Sequence, residues 1–302
     1  MGTVGRTGTR FSESTPTHLF ILAFEFRNGK FVPVNLLPEF HKSKKTVCAA
    51  YSWLSPNYEP ERTVKDIPLP TGYRRLESPP GSFQEWLRNL PLKPEKTPIL
   101  LYTGELKPIQ YLHYAIIEID IGSEDLQQCA DIIMRLKAEY HYSRGEFDMI
   151  HFKFLNGFKF EYSKWKNGYR LNNSQNGWIK TGDISDDYQG FTEYLYQLYY
   201  FANTKSLDSE TIPVTTSEIR PGDMFVQGIK PQFNHAVIIL DVAENKDREH
   251  IFIIGRGNTP AQDLEILKNP EGKSPWHRFK SGDSFQTAQW TFKKTDLKRF
   301  PE

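Results

Sequence analysis

"GDMFVQGIKPQFNHAVIILDVAENKDREHIFIIG", residues 222–255, decides the fold. It holds three apolar runs of strand length, "MFVQ", "HAVIILDVA" and "HIFIIG", rich in β-branched and aromatic residues and separated by turn chemistry. The pattern predicts an antiparallel meander or small barrel in the last third of the chain. Pro221-Gly222-Asp223 is a turn feeding the first strand, and a loop then returns the chain at His235. A titratable side chain therefore opens the central strand, near the rim of the sheet where a cleft can form.

Upstream the periodicity changes. In "SEDLQQCADIIMRLKAEYHY", residues Leu126, Cys129, Ile132, Ile133, Leu136 and Tyr140 recur at helical spacing with charges opposite. "DYQGFTEYLYQLYYFANTKSL" predicts a second amphipathic helix with Phe191, Tyr194, Leu195, Leu198, Tyr199 and Ala202 inside. "GSFQEWLRNLPL" predicts a short helix capped by Ser82 and closed before Pro91. "PILLY" and "HYAIIEIDIG" read as strands, and "MIHFKFLNGFKFEY" as a hairpin about Asn156-Gly157. Helices early and strands late give an α+β domain with helices packed on an antiparallel sheet or small barrel.

Residues 1–47 are set apart as a polar tail and a short hairpin around Asn28-Gly29, and 48–302 as a single α+β domain. A proline-rich arm crosses about 54–81, with prolines at 56, 60, 68, 70, 79 and 80 favouring extended connections. The 302 residues are enough to bury a core without staples. A net charge of +1 gives no electrostatic case for nucleic acid or an anionic membrane surface. Two cysteines, Cys48 and Cys129, make neither a disulfide framework nor a zinc site, and no cofactor is implied. No stretch approaches the roughly 20 apolar residues of a membrane span. "HLFILAFEFRNG" at 18–29 is too short, is broken by Glu25, and lacks the cleavage site of a signal peptide.

Cys129 and His235 are the chemically suggestive pair. If Asp125 caps the long helix, Asp125-Leu126-Gln127-Gln128 has the form of a capping box and Cys129 falls in the first turns, where the helix dipole favours thiolate. If Ser123 caps it, the cysteine lies deeper and loses most of that effect. Cys129 also lies on the apolar stripe, where a free cysteine is an ordinary core residue. An imidazole acting as base needs an orienting acceptor, and the nearest candidates are Asp263 and Gln262 in "GRGNTPAQD", since Arg256 accepts no hydrogen bond. Gln127 or Gln128 would supply an oxyanion donor. His113 and His151 also open strands but lack a neighbouring turn motif, and "RGN" after "IIG" is no phosphate loop.

"SPPGSFQEWLRNLPLKP", "LYTGELKPIQYLHYAIIEIDIGSEDLQQCADIIMRLKAEY", "HFKFLNGF", "GDMFVQG…HAVIILDVA", "TPAQDLEILKNP" and "SPWHRF" together resemble the bacterial family called domain of unknown function 4846, over about residues 50–300. More distantly, a cysteine at a helix start followed by a "PGD" strand and a strand-opening histidine is similar to the papain-like superfamily, especially its cell-wall amidase and peptidase branch. That likeness implies a papain-like fold and thiol-dependent amide hydrolysis or acyl transfer, with Cys129 as nucleophile and His235 as base then acid. It further implies peptides or peptidoglycan as substrate and the bacterial cell envelope or periplasm as location. The rival expectation is a non-catalytic peptide- or glycan-binding module on an inactive papain-like scaffold, using loop aromatics such as Trp53, Tyr58, Tyr73, Trp165, Tyr169, Trp178 and Trp276.

Overall fold

The computed structural model describes residues 23–27, 30–34, 51–185, 187–228, 234–279 and 284–301. The chain falls into two compact units, Met1–Val47 and Cys48–Glu302. In the first, Ala23–Arg27 pairs antiparallel with Lys30–Val34, placing Arg27 opposite Lys30. The Asn28-Gly29 turn, the 1–17 tail and Cys48 lie outside the described residues.

The second unit is α+β and is organised by one nine-stranded antiparallel sheet. In chain order its strands are β1 (Arg74–Arg75), β2 (His113–Ile116), β3 (Ile212–Pro213), β4 (Met224–Gln227), β5 (His235–Glu244), β6 (His250–Arg256), β7 (Glu265–Leu267), β8 (Trp276–His277) and β9 (Leu297–Arg299). Neighbours run β2-β7-β6-β5-β4-β9-β3, with β1 paired to β5 and β8 to β6. The meander expected from residues 222–255 is therefore the centre of the sheet, β4-β5-β6.

Both faces of this centre are covered, which is why β5 reads as an unbroken apolar run. Ala236, Ile238 and Leu240 enter a core with helix α2 (Cys129–Ser143), through Ile132, Ile133 and Leu136, and with helix α4 (Tyr188–Phe201), through Phe191, Leu195 and Leu198. Val237 and Ile239 point the other way, into a second cluster with Phe225, Phe252, Phe285 and Phe292. A register shift between Ile239 and Asp241 then reverses the alternation, so that Val242 joins the second cluster and Ala243 the first. Each of the larger apolar side chains contributes about 1.5–3 kcal/mol by leaving water.

Helix α1 (Phe83–Arg88) forms as its sequence predicts: Ser82 Oγ accepts the Glu85 N–H at 3.2 Å, and the helix ends ahead of Pro91. The hairpin about Asn156-Gly157 also forms, as His151–Lys153 paired with Lys159–Glu161, and runs into the short helix α3 (Tyr162–Lys166). Two expected strands are cut short. Residues 98–102 make only isolated bridges, because Leu101 N–H bonds to Glu105 O in a tight turn through Gly104, whose φ is +81°. Strand β2 stops at Ile116, and beyond it Ile119 N–H bonds back to Ile117 O, turning the backbone out of the ladder.

Helix α2 starts later than either cap considered from sequence. Its N-cap is Gln128, not Asp125 or Ser123, and Cys129 is the first helical residue. Tight turns, Leu126 N–H to Glu124 O and Gln128 N–H to Leu126 O, hold the preceding backbone out of the helix. The Asp125 carboxylate is used elsewhere, accepting the Ala261 N–H at 2.6 Å and Gln128 Nε2 at 3.1 Å. The proline-rich arm supplies β1 and is tied down by Arg75, which donates to Asp241 Oδ2 at 2.6 Å and to Ile67 O at 2.7 Å.

Candidate active site

The start of α2 lies against the end of β6. Gly257 permits this approach: a Cβ there would sit 2.9 Å from Gln128 O and 3.0 Å from Ile132 Cγ2. The contact delivers Cys129 to the opening residues of β5. Its Sγ is 3.9 Å from Thr204 Oγ1, at the first residue of helix α5 (Thr204–Ser209), and receives the backbone N–H groups of Ala236 and Ala130. Burial pushes the thiol pKa up, and the Asp131 charge adds to that, whereas the three donors oppose it. Two residues 106 positions apart thus come together in part: the thiol reaches the backbone of the residue that follows His235.

The imidazole itself faces the other way. Ala236 belongs to the helix-covered face, so the preceding side chain on the strand projects from the opposite one. There His235 stacks on Trp290, with ring centroids 4.6 Å apart at 19°, and lies 6.1 Å from the Phe292 ring. Its Nε2 is buried without a hydrogen-bond partner. Burial, and then the nearby Arg256 guanidinium, lower its pKa to about 3, only partly countered by Glu265. A neutral imidazole on one face and a protonated thiol on the other are the resting forms.

Arg256 occupies the place where an orienting acceptor would be useful. Its Nε and Nη2 donate to Glu265 Oε1 at 2.9 and 2.5 Å, and Nη1 donates to Gln289 Oε1 at 2.5 Å. Lys107 Nζ and Gln262 Nε2 reach the same Glu265 oxygen, at 2.7 and 2.9 Å. Gln262 is therefore a member of this buried charge cluster, with no hydrogen bond to His235. Asp263 spends both oxygens on structure, accepting Lys93 Nζ at 2.7 Å and the Leu100 N–H at 2.8 Å. Gln127 binds Arg135 Nη1 and Asp120 O, and Gln128 accepts Thr259 Oγ1 at 2.9 Å. None of these four side chains makes a hydrogen bond to Cys129 or His235.

A cleft of about 260 Å³ does open on the thiol, between the start of α2, the end of α4 and the start of α5. Besides Cys129 its walls include Asp125, Gln128, Asp131, Tyr199 and Thr204. Sequence reasoning missed Asp131 and Tyr199. A carboxylate two residues past a cysteine reads as a helix cap, and Asp131 does fill that role through Oδ2, which accepts the Gln128 N–H at 3.1 Å. What the sequence does not display is its burial, which raises the carboxyl to about 8. A larger cleft, of about 1110 Å³, lies at the opposite end of β5 and β6 beside Glu244 and His250, and no cysteine lines it. Among the described residues no group of three or more His, Cys, Asp or Glu is placed to hold a metal ion, and no helix is long and apolar enough to cross a membrane.

A family model described as "Domain of unknown function (4846)" matches residues 64–299. No curated protein and no solved structure matches the chain.

Proposed function

Since the chain belongs to the family Domain of unknown function (4846), whose description assigns no activity, we propose a function from the site itself: thiol-dependent hydrolysis or acyl transfer at an amide bond, with Cys129 as nucleophile. One observation carries this reading. Cys129 opens α2, borders a cleft, and has its sulfur among the Ala130 N–H, the Ala236 N–H and the Thr204 hydroxyl. Donors so placed favour the thiolate that goes on to attack, and a helix N-terminus favours it further. A thiol at a helix start, laid against a sheet whose next strand begins with histidine, is papain-like in kind, and peptide or peptidoglycan amides are the substrate class that likeness suggests. His235 takes the base and then acid role in this reading only after its ring leaves the Trp290 stack.

The test is acylation by a small activated ester. Native protein treated with p-nitrophenyl acetate is expected to carry an acetyl group on Cys129 in a peptide map, and Cys129→Ser to carry none there. Acylation no faster than that of free cysteine at the same pH sinks the proposal.

A second reading, a non-catalytic peptide- or glycan-binding module, is favoured by Arg256 standing beside His235 in place of an acceptor. The loop aromatics give it less support. Trp53, Trp165 and Trp276 donate their indole N–H to Glu118 O, Gly190 O and Pro68 O, and Trp178 packs on Phe160. Arg256→Gln separates the two readings by replacing a repelling cation with a neutral side chain that can accept. Thiol chemistry through His235 predicts a higher His235 pKa and faster Cys129 acylation, whereas the binding module predicts acylation no faster than that of free cysteine in either protein.

A further inference from the structure

Two residues that line the cleft at Cys129 each carry a buried polar atom without a hydrogen-bond partner, Asp131 Oδ1 and Tyr199 Oη. Asp131 is 6% exposed and Tyr199 9% exposed. A buried acceptor or donor left unpaired costs about 1–3 kcal/mol, so such atoms point to what the cleft receives. One is a carboxyl oxygen that accepts or, when protonated, donates; the other is a phenol that donates. An amide matches the pair: its N–H donates to Asp131 Oδ1 while its carbonyl oxygen accepts from Tyr199 Oη. An ester lacks the N–H and leaves Oδ1 unpaired. The cleft volume equals that of roughly nine waters at about 30 Å³ each, enough for a short acyl group and its leaving nitrogen.

We propose that Asp131 is the proton carrier of this site, moving a proton from the Cys129 sulfur to the departing nitrogen of a bound carboxamide. The inference rests on the thiol-dependent reading above and transfers to Asp131 the role otherwise given to His235. In the first half-reaction the S–C bond forms and the C–N bond breaks. Asp131 gives its proton to nitrogen and takes one from sulfur, so the amine leaves neutral and the carboxyl ends as it began. In the second half a water oxygen bonds to the carbonyl carbon, the C–S bond breaks, and one water proton reaches sulfur through the same carboxyl. No electrons change hands.

The surroundings of Asp131 suit a carboxyl that is protonated at neutral pH. From α2 it shares the region with Cys129, and with Arg135 and Glu139 further along the helix; Arg135 is already engaged by Asp120, Gln127 and Glu139. From α4 come Tyr199 and Tyr200, the latter donating to Glu124. The preceding loop brings Asp125, α5 brings the uncharged Asn203 and Thr204, and β5 turns His235 to its other face. Burial outweighs two backbone hydrogen bonds, and the resulting pKa of about 8 lies close to the pH at which a group can both give and take a proton.

Two acyl donors test the assignment, because a phenolate leaves without a proton and an anilide does not. Cys129 acylation by p-nitrophenyl acetate and by 4-nitroacetanilide is compared in wild type, Asp131→Asn and Ser82→Ala. Asp131→Asn is expected to react with the anilide about a hundredfold slower and with the ester less than about tenfold slower, because the ester needs the carboxyl only to take the sulfur proton and not to protonate its leaving group. Ser82→Ala, at a helix cap remote from the cleft, is expected to keep both rates within about twofold. Iodoacetamide labelling of Cys129 is expected to shift to lower pH in Asp131→Asn, since a neighbouring negative charge is gone. The assignment is overturned if Asp131→Asn slows both donors equally, slows neither, or leaves the labelling profile unchanged, and equally if wild type reacts with the ester but never with the anilide. If wild type reacts with neither, the thiol-dependent reading falls and this inference falls with it.

Discussion

At the scale of single residues, two buried groups give the protein opposite responses to pH. The unfolded chain protonates the His235 imidazole below about 6.5, whereas the folded protein does so only near 3. Between those values the unfolded state binds the extra proton, so this residue withdraws stability as pH falls through the window and withdraws none above it. Asp131 behaves in the reverse sense. Its proton is lost near 3.8 when unfolded and near 8 when folded, so its burial costs progressively more as pH rises between them, on the order of a few kcal/mol in all. Glu139, raised to about 7 by burial, acts in the same direction as Asp131. Urea midpoints for wild type are therefore expected to fall between pH 5 and pH 8.5, and those for Asp131→Asn to fall less. An equal slope in the two proteins contradicts a neutral buried Asp131. NMR titration of His235 is expected to show no protonation down to pH 5, and a midpoint near 6.5 contradicts the stacked, Arg256-facing placement.

At the scale of elements, the decisive contact is between the start of α2 and the end of β6. Gly257→Ala places a Cβ against Gln128 O and Ile132, which belong to a packed helix rather than to a flexible side-chain end. It is expected to cost about 1–3 kcal/mol and to slow Cys129 acylation, because the helix start must move. Unchanged thermal stability with unchanged acylation shows that the contact does not position the thiol. Ser82→Ala probes a cap remote from Cys129: a loss of about 1 kcal/mol is expected, with acylation untouched. Helix α1 was legible because Ser82, an apolar stripe and Pro91 agree. The start of α2 was not, because Asp125 has a cap's chemistry but gives its carboxylate to Ala261, a contact made across the fold.

At the scale of the whole domain, Asp241 joins segments far apart in sequence. Its carboxylate receives Arg88 Nε at 2.5 Å and Arg75 Nε at 2.6 Å, binding α1 and the proline-rich arm to the middle of β5. Asp241→Ala leaves the buried Arg88 guanidinium its hydrogen bonds to Leu76 O and Ser78 Oγ but no counter-charge, and is expected to cost about 3 kcal/mol, read as a lower urea midpoint. The sequence by itself determined the antiparallel centre and the amphipathic helices, and it offered Cys129 as a candidate, because strand and helix periodicity and residue chemistry are local properties. Only the tertiary structure decided which face of β5 His235 occupies, that Arg256 stands beside it, and that Asp131 and Tyr199 share the thiol's cleft. Facing depends on which layer covers each side of a sheet, and a buried group's charge depends on what surrounds it in space. Neither quantity is written in the spacing of residues along the chain.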